Sequence, residues 1–449
     1  MRKQLFVILT LVVIAVMTIG PVIAQSEADL LDPAYFGLQE GQPFAGTHLN
    51  YLICCAAAPQ FASLAAKTNE EFTAMTGISV TWADVPYADF QSQLVLEASS
   101  GTGTYDVVSW VDAWGPGVQA FMLPLNERME AAGLDLSDFP PVYQEVAMIG
   151  TEDTIYGIPL RGHAQMLMYR QDVFDELGLE VPTTWQEVAE VGAMIEEQTE
   201  LEAISMYYGV SGNQNLFNWL SHLWGAGGEI FDADFNATFN SPEGIAATQQ
   251  YVSFMSDGLT ADGAIAFGEG EGEEELLQGR AAMFVGWWWM FADTQNPERA
   301  APEVQNNIGF APAPGWEGGS AASYGYLWPV GILSSSTQQD AAFEYLKWLT
   351  HPTTEARVAL DETPAFLNNV VVRNSTLQDE AVNERWGGLQ STAAEILADA
   401  RTMPLIPEWP EVEAILTVAV NDIASGADTT ERLNQAAADV DAVMERAGY

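Results

Sequence analysis

The chain has 449 residues, 48% of them apolar, enough to bury substantial cores and too many for a single ordinary one. Its 62 acidic residues against 15 basic ones, with only Lys3, Lys67 and Lys347 as lysines, give a net charge of −47. Such a field repels phosphate backbones and anionic membranes, which argues against a nucleic-acid partner and suits either salt adaptation or an acidic secreted proteome.

Arg2 and Lys3 precede an apolar stretch from Leu5 to Ile19, which Gly20-Pro21 breaks before the small residues around Ala24. This reads as a secretory signal peptide over 1–24, because a membrane span needs about 20 apolar residues; an uncleaved anchor is the alternative. No cysteine follows the apolar stretch, so no lipid anchor is expected there. Residues 25–45 form an acidic leader. A strand is expected over His48–Cys54, a helix from Gln60 to Thr76 ending near Gly77, and a strand over Ile78–Trp82. Asp89 is expected to cap the helix through FQSQLVLEA, and Tyr105–Trp110 to form a third strand. This alternation argues for an α/β domain with a largely parallel sheet, whose ligands lie beyond the strands' carboxyl ends near Cys54–Ala57 and Ser109–Trp114. Adjacent Cys54 and Cys55 are expected as two small buried thiols, with a strained vicinal disulfide as the alternative.

Helical patterns dominate the second half: Trp185–Gln198, Pro242–Ser256, Ala341–Leu349, Val412–Ser425 and Thr430–Ala447. The acidic run GEGEGEEELLQGR suits a helix N-terminus, where carboxylates favour the dipole. Asp232, Asp234, Asn236 and Glu243 have calcium-loop spacing, but Ala237 stands where the loop needs glycine, and the histidines (His48, His163, His222, His351) are scattered. No metal or cofactor is expected.

Five segments, in order, resemble the extracellular solute-binding proteins of ABC transporters, the sugar-binding group that includes maltose-binding protein. They are YGIPL (156–160) with MLMYRQDVFDELGLEVPTTWQEV, LWGAGGEIFD (223–232), GRAAMFVGWWWM (279–290), QQDAAFEYLKWLTHPTTE and IPEWPEVEAILTVAVNDIASG. The departures are the acidic leader, the Cys-Cys pair, and Arg170 where the family usually has Asn. The resemblance implies a two-lobed periplasmic-binding-protein (Venus flytrap) α/β fold with three crossovers, near Gly157–Arg161, Gly319–Leu327 and Val372–Gln378. Lobe 1 is then 46–160 with 327–372, and lobe 2 is 161–326 with 373–449. A ligand touching both lobes stabilises the closed form, which docks on the transporter's permease subunits.

Sugar rings present flat C–H faces that pack on aromatic rings, while their hydroxyls need directed polar partners. Consecutive residues point in different directions, so Trp287, Trp288 and Trp289 cannot share one buried face. One of Trp288 and Trp289 is expected to stack on the ligand. Trp409 stands where the family places another stacking aromatic. Trp110, Asp112 and Trp114 follow the third strand, Arg161 and His163 follow the first crossover, and Tyr324 and Tyr326 flank Gly325 at the second. Asn213, Asn215 and Phe217 occupy a family contact loop, where amides offer both donors and acceptors.

The expected function is non-catalytic: an exported, monomeric protein, periplasmic or extracellular, that delivers a mono- or oligosaccharide to an ABC importer. A cationic or quaternary-ammonium solute is the alternative, through cation–π attraction in an acidic tryptophan cage. A secreted glycoside hydrolase is the rival from another class, although no carboxylate pair sits in a recognisable catalytic motif.

Overall fold

A computed structural model describes residues 29–318, 321–362 and 367–449; the expected signal peptide lies outside the described residues. Eight strands form among them: β1 (His48–Cys54), β2 (Ser79–Val85), β3 (Val107–Ser109), β4 (Gly157–Arg170), β5 (Glu202–Ser205), β6 (Ala281–Trp287), β7 (Ile308–Pro312) and β8 (Gly325–Ile332). Their spatial order is β2-β1-β3-β8-β4-β6-β5, with β7 also on β4.

β1 pairs in parallel with β2 and β3, as the alternating strand and helix signals require. Beyond those strands the sheet is mixed: β4 and β8 run antiparallel to their neighbours, whereas β5 pairs in parallel with β6. β8 runs antiparallel to both β3 and β4, because it re-enters the sheet from the far side after the chain has built the second lobe. The strand β4, at fourteen residues, spans about 45 Å at the usual rise per residue, more than twice a typical strand. Gly157–Ala164 pairs with β8, whereas Gln165–Tyr169 pairs with β6 and Met166–Arg170 with β7. One continuous strand thus belongs to both lobes and changes partners between Ala164 and Gln165. Every residue of β6 and β8 is buried, which accounts for their unbroken apolar runs.

The Gln60–Thr76 expectation corresponds to a continuous helical stretch from Pro59, with a wider turn at Thr68–Phe72 and a left-handed Gly77 to end it. Asp89 does not cap its helix. That helix begins at Tyr87 after Pro86, and Asp89 lies inside the first turn, where its charge still favours the dipole. In the second half, Trp185–Gln198 starts at a Thr184–Glu187 capping box and Pro242–Ser256 at Ser241. The acidic run forms the helix Glu269–Leu277, with Glu269 and Glu271 in its first turn. Helices Trp409–Ala424 and Thr429–Ala447 pack on each other, the latter capped by Asp428. No helix among the described residues is long and apolar enough to cross a membrane.

Candidate functional site

Where β4 changes partners, a cavity of about 190 Å³ opens between the lobes. Its floor follows from strand alternation. Residues two apart on a strand share a face, so Arg161 and His163 of β4 project to the same side, as do Tyr326 and Trp328 of β8. The register pairs His163 with Tyr326 and Arg161 with Trp328, bringing all four together. A bulge between Pro159 and Arg161 leaves Leu160 without a cross-strand partner and re-aims the side chains C-terminal to it. The carbonyl of Leu160 instead accepts from Gln60 Nε2 at 3.0 Å. Trp287 ends β6, opposite Gln165, and continues the floor. Cys55, Tyr87, Gln214, Phe217, Glu269 and Trp289 complete the walls.

The rings contact one another. His163 and Tyr326 stack at 5.5 Å and 18°, Trp287 and Tyr326 at 5.4 Å and 29°, and Phe217 meets Trp287 edge-on at 5.3 Å. The Arg161 guanidinium lies between Phe61 (5.1 Å) and Trp289 (5.9 Å). Burial, reinforced by the Arg161 charge, holds His163 well below the usual histidine range, so its ring is neutral at pH 7. Its Nδ1 is buried with no partner in the protein. Burial pushes Glu269 up to about 7 against the opposing pull of the Trp287 indole and Arg161. Arg161 is pulled down by burial to about 10, which leaves it charged.

Of the residues singled out in the sequence, the structure brings Arg161, His163, Phe217, Trp289 and Tyr326 to this cavity. Trp288 is fully buried on the other side: its indole N–H donates to the Gly162 carbonyl at 2.9 Å, and its own carbonyl accepts from Asn369 at 2.6 Å. In WWW the first and third rings face the cavity and the middle one enters the core. Trp110 is also core. Gly157 and Gly331 leave room for its ring, and a Cβ on either would come within 2.5 and 2.9 Å of it. Trp114 stands one layer behind the wall, against Tyr87 and Trp328. Trp409 is buried, with its indole N–H on Met403 Sδ at 3.2 Å.

The polar candidates outside the cavity have structural partners. Asp112 accepts from the hydroxyls of Tyr324 and Thr402, each at 2.8 Å, and burial raises it to about 6 in spite of them. Asn213 donates to Glu413 at 3.0 Å, and Asn215 to the carbonyl of Thr417 at 3.0 Å. Tyr324 therefore serves Asp112 and packs behind Trp287 and Phe217.

Tyr87, Gln214, Glu269, Trp287 and Trp328 also line the cavity, and nothing in the sequence singles out the first three as ligand contacts. Trp287 and Trp328 carry a usable signal, since each stands two residues from a neighbour that reaches the cavity. Glu269 is legible only as a helix-dipole carboxylate, which it also is. Cys54 and Cys55 are joined by a disulfide, not two separate thiols, and Cys55 adopts a positive φ of 60° as the chain leaves β1.

A profile described as bacterial extracellular solute-binding protein matches residues 57–356. A Sinorhizobium fredii protein described as a probable amino-acid ABC transporter periplasmic-binding protein is 27% identical over 395 residues, covering 86% of this chain and 87% of that one. The maltose-bound MalE3 of T. maritima matches with a TM-score of 0.78 at 19% identity, over 88% of this chain and 99% of its own. A solute-binding protein of Agrobacterium vitis with bound D-mannitol matches at 0.75 and 21% identity, over 90% of this chain and 100% of its own. The architecture is therefore the two-lobed one that the five segments imply.

Proposed function

The chain belongs to the bacterial extracellular solute-binding protein family, and from that premise we propose that it captures a sugar between its lobes and hands it to an ABC importer's permease. The carrying observation is the cavity's composition: stacked aromatic faces beside a few polar side chains, of which His163 Nδ1 and Arg161 Nε have no partner in the protein. Aromatic rings accept the C–H faces of a sugar ring, and the His163 ring nitrogen, Gln214 and Glu269 suit its hydroxyls. A volume of about 190 Å³ favours a single ring or a short polyol over a long oligosaccharide. The mannitol-bound relative from Agrobacterium vitis supports the same scale.

Closure follows from the shared strand. Ligand contacts from both lobes favour the closed state only by their differential affinity for it, and β4 is one of the three covalent paths about which the proposed lobes turn. The proposed lobes are 46–160 with 327–372 and 161–326 with 373–449. Arg161 in the cavity works against a quaternary-ammonium ligand. An amino acid, the solute class named for the Sinorhizobium fredii relative, is the second reading, since Arg161 and Glu269 offer charges of both signs.

Calorimetry of the mature protein against monosaccharides, polyols, maltose, glycine betaine and amino acids, followed by solution scattering with the best binder, tests this. The expected result is binding of a sugar or polyol with a smaller radius of gyration. Binding of amino acids alone, or turnover of an aryl glycoside, overturns it.

A further inference from the structure

The cavity's charge narrows the solute. Among the described residues, every lysine and arginine except Arg161 donates a hydrogen bond to another group of the protein. Arg161 donates none to them. Its Nε is buried without a partner, and its neighbours are the faces of Phe61 and Trp289. Glu269 lines the same cavity and acts on Arg161 through space, without a hydrogen bond between the two. In a chain with 62 carboxylates to 15 basic groups, a bare guanidinium is not the result of a shortage of acids.

Arg161 is half-buried, with its Nε enclosed and unpartnered, and the guanidinium's planar fork matches a carboxylate with two parallel N–H···O bonds. A neutral hydroxyl satisfies one donor and brings no opposite charge to the guanidinium. His163 does not share the load, because burial keeps it neutral, and Glu269, raised to about 7, is only partly ionised at neutral pH. Arg161 is therefore the fully charged group of the cavity, and Glu269 offsets its charge only in part.

We propose that Arg161 receives a carboxylate of the solute, so that the ligand is an acidic sugar of single-ring size, a uronate in preference to the matching neutral hexose. In the bound state the two carboxylate oxygens accept from the guanidinium between Phe61 and Trp289. The ring lies along Trp287 and Tyr326, and its hydroxyls meet His163, Gln214 and Glu269. This inference rests on the sugar reading above and adds the ligand's charge to it.

The test is calorimetry of the full mature chain with glucuronate and galacturonate against glucose and galactose at pH 7.5, repeated on Arg161→Met. A uronate that binds at least tenfold tighter than its hexose, with that preference erased in Arg161→Met at an unchanged melting temperature, is the expected result. If the variant fails to fold, the comparison on the parent protein still decides. A hexose that binds as tightly as its uronate overturns the inference and leaves the sugar reading standing. Binding of amino acids with no response to either kind of sugar overturns both.

Discussion

Trp288→Ala and Trp289→Ala, one residue apart, should fail in opposite ways. Trp288 is fully buried, and its indole N–H satisfies the Gly162 carbonyl at 2.9 Å. Truncation leaves a cavity in a packed region and a buried carbonyl without its donor, for a cost of about 3–5 kcal/mol. In a cooperative unit of about 150–250 residues, that lowers the melting temperature by about 6–20 °C. Trp289 is half-buried, lines the cavity and covers one face of Arg161. Its removal exposes a surface that water reoccupies, so stability should change little. The lost stacking is worth about 1–3 kcal/mol, or about 5- to 150-fold in affinity. Thermal melts and calorimetry on the two single variants make the comparison. A Trp288→Ala protein that melts like the parent but binds weakly, or a Trp289→Ala protein with unchanged affinity and a collapsed melting temperature, would refute the assignment of the two rings.

Three further outcomes rest on the same contacts. Glu269 titrates near 4.5 when unfolded and about 7 when folded, so the folded state holds the extra proton between those values. Its contribution to stability is full below pH 4.5 and lost as pH rises through 7, and Glu269→Gln should flatten that part of the slope in melts from pH 4 to 8. An unchanged slope in the variant would show that the group is not buried as described. Gly157→Ala should lose about 1–3 kcal/mol in chemical denaturation, because its Cβ would meet the Trp110 ring at 2.5 Å. Asp112→Ala strands the buried Tyr324 hydroxyl and should cost about 1–3 kcal/mol, with a much smaller loss of affinity than Trp289→Ala. A binding defect equal to that of Trp289→Ala would place Asp112 in contact with ligand.

Much of this molecule is local information. Helices such as Trp185–Gln198 and Pro242–Ser256 carry their own caps, and β1 its own apolar pattern, so their bounds follow from residues within a few positions of each other. The ordered segments from YGIPL to IPEWPEV identify the family and its two-lobed fold for a related reason: each is one such local unit. What lies opposite what is not local. The sequence cannot say that β8 returns antiparallel to β4, that a bulge at Leu160 turns Arg161 toward Trp328, or that β4 exchanges β8 for β6 after Ala164. Those pairings join residues more than a hundred positions apart, and they decide which of three consecutive tryptophans faces the ligand. A one-residue change of register moves a side chain to the other face of its sheet, so the same WWW can supply Trp288 or Trp287 and Trp289 to the cavity, and only the packed lobes fix which.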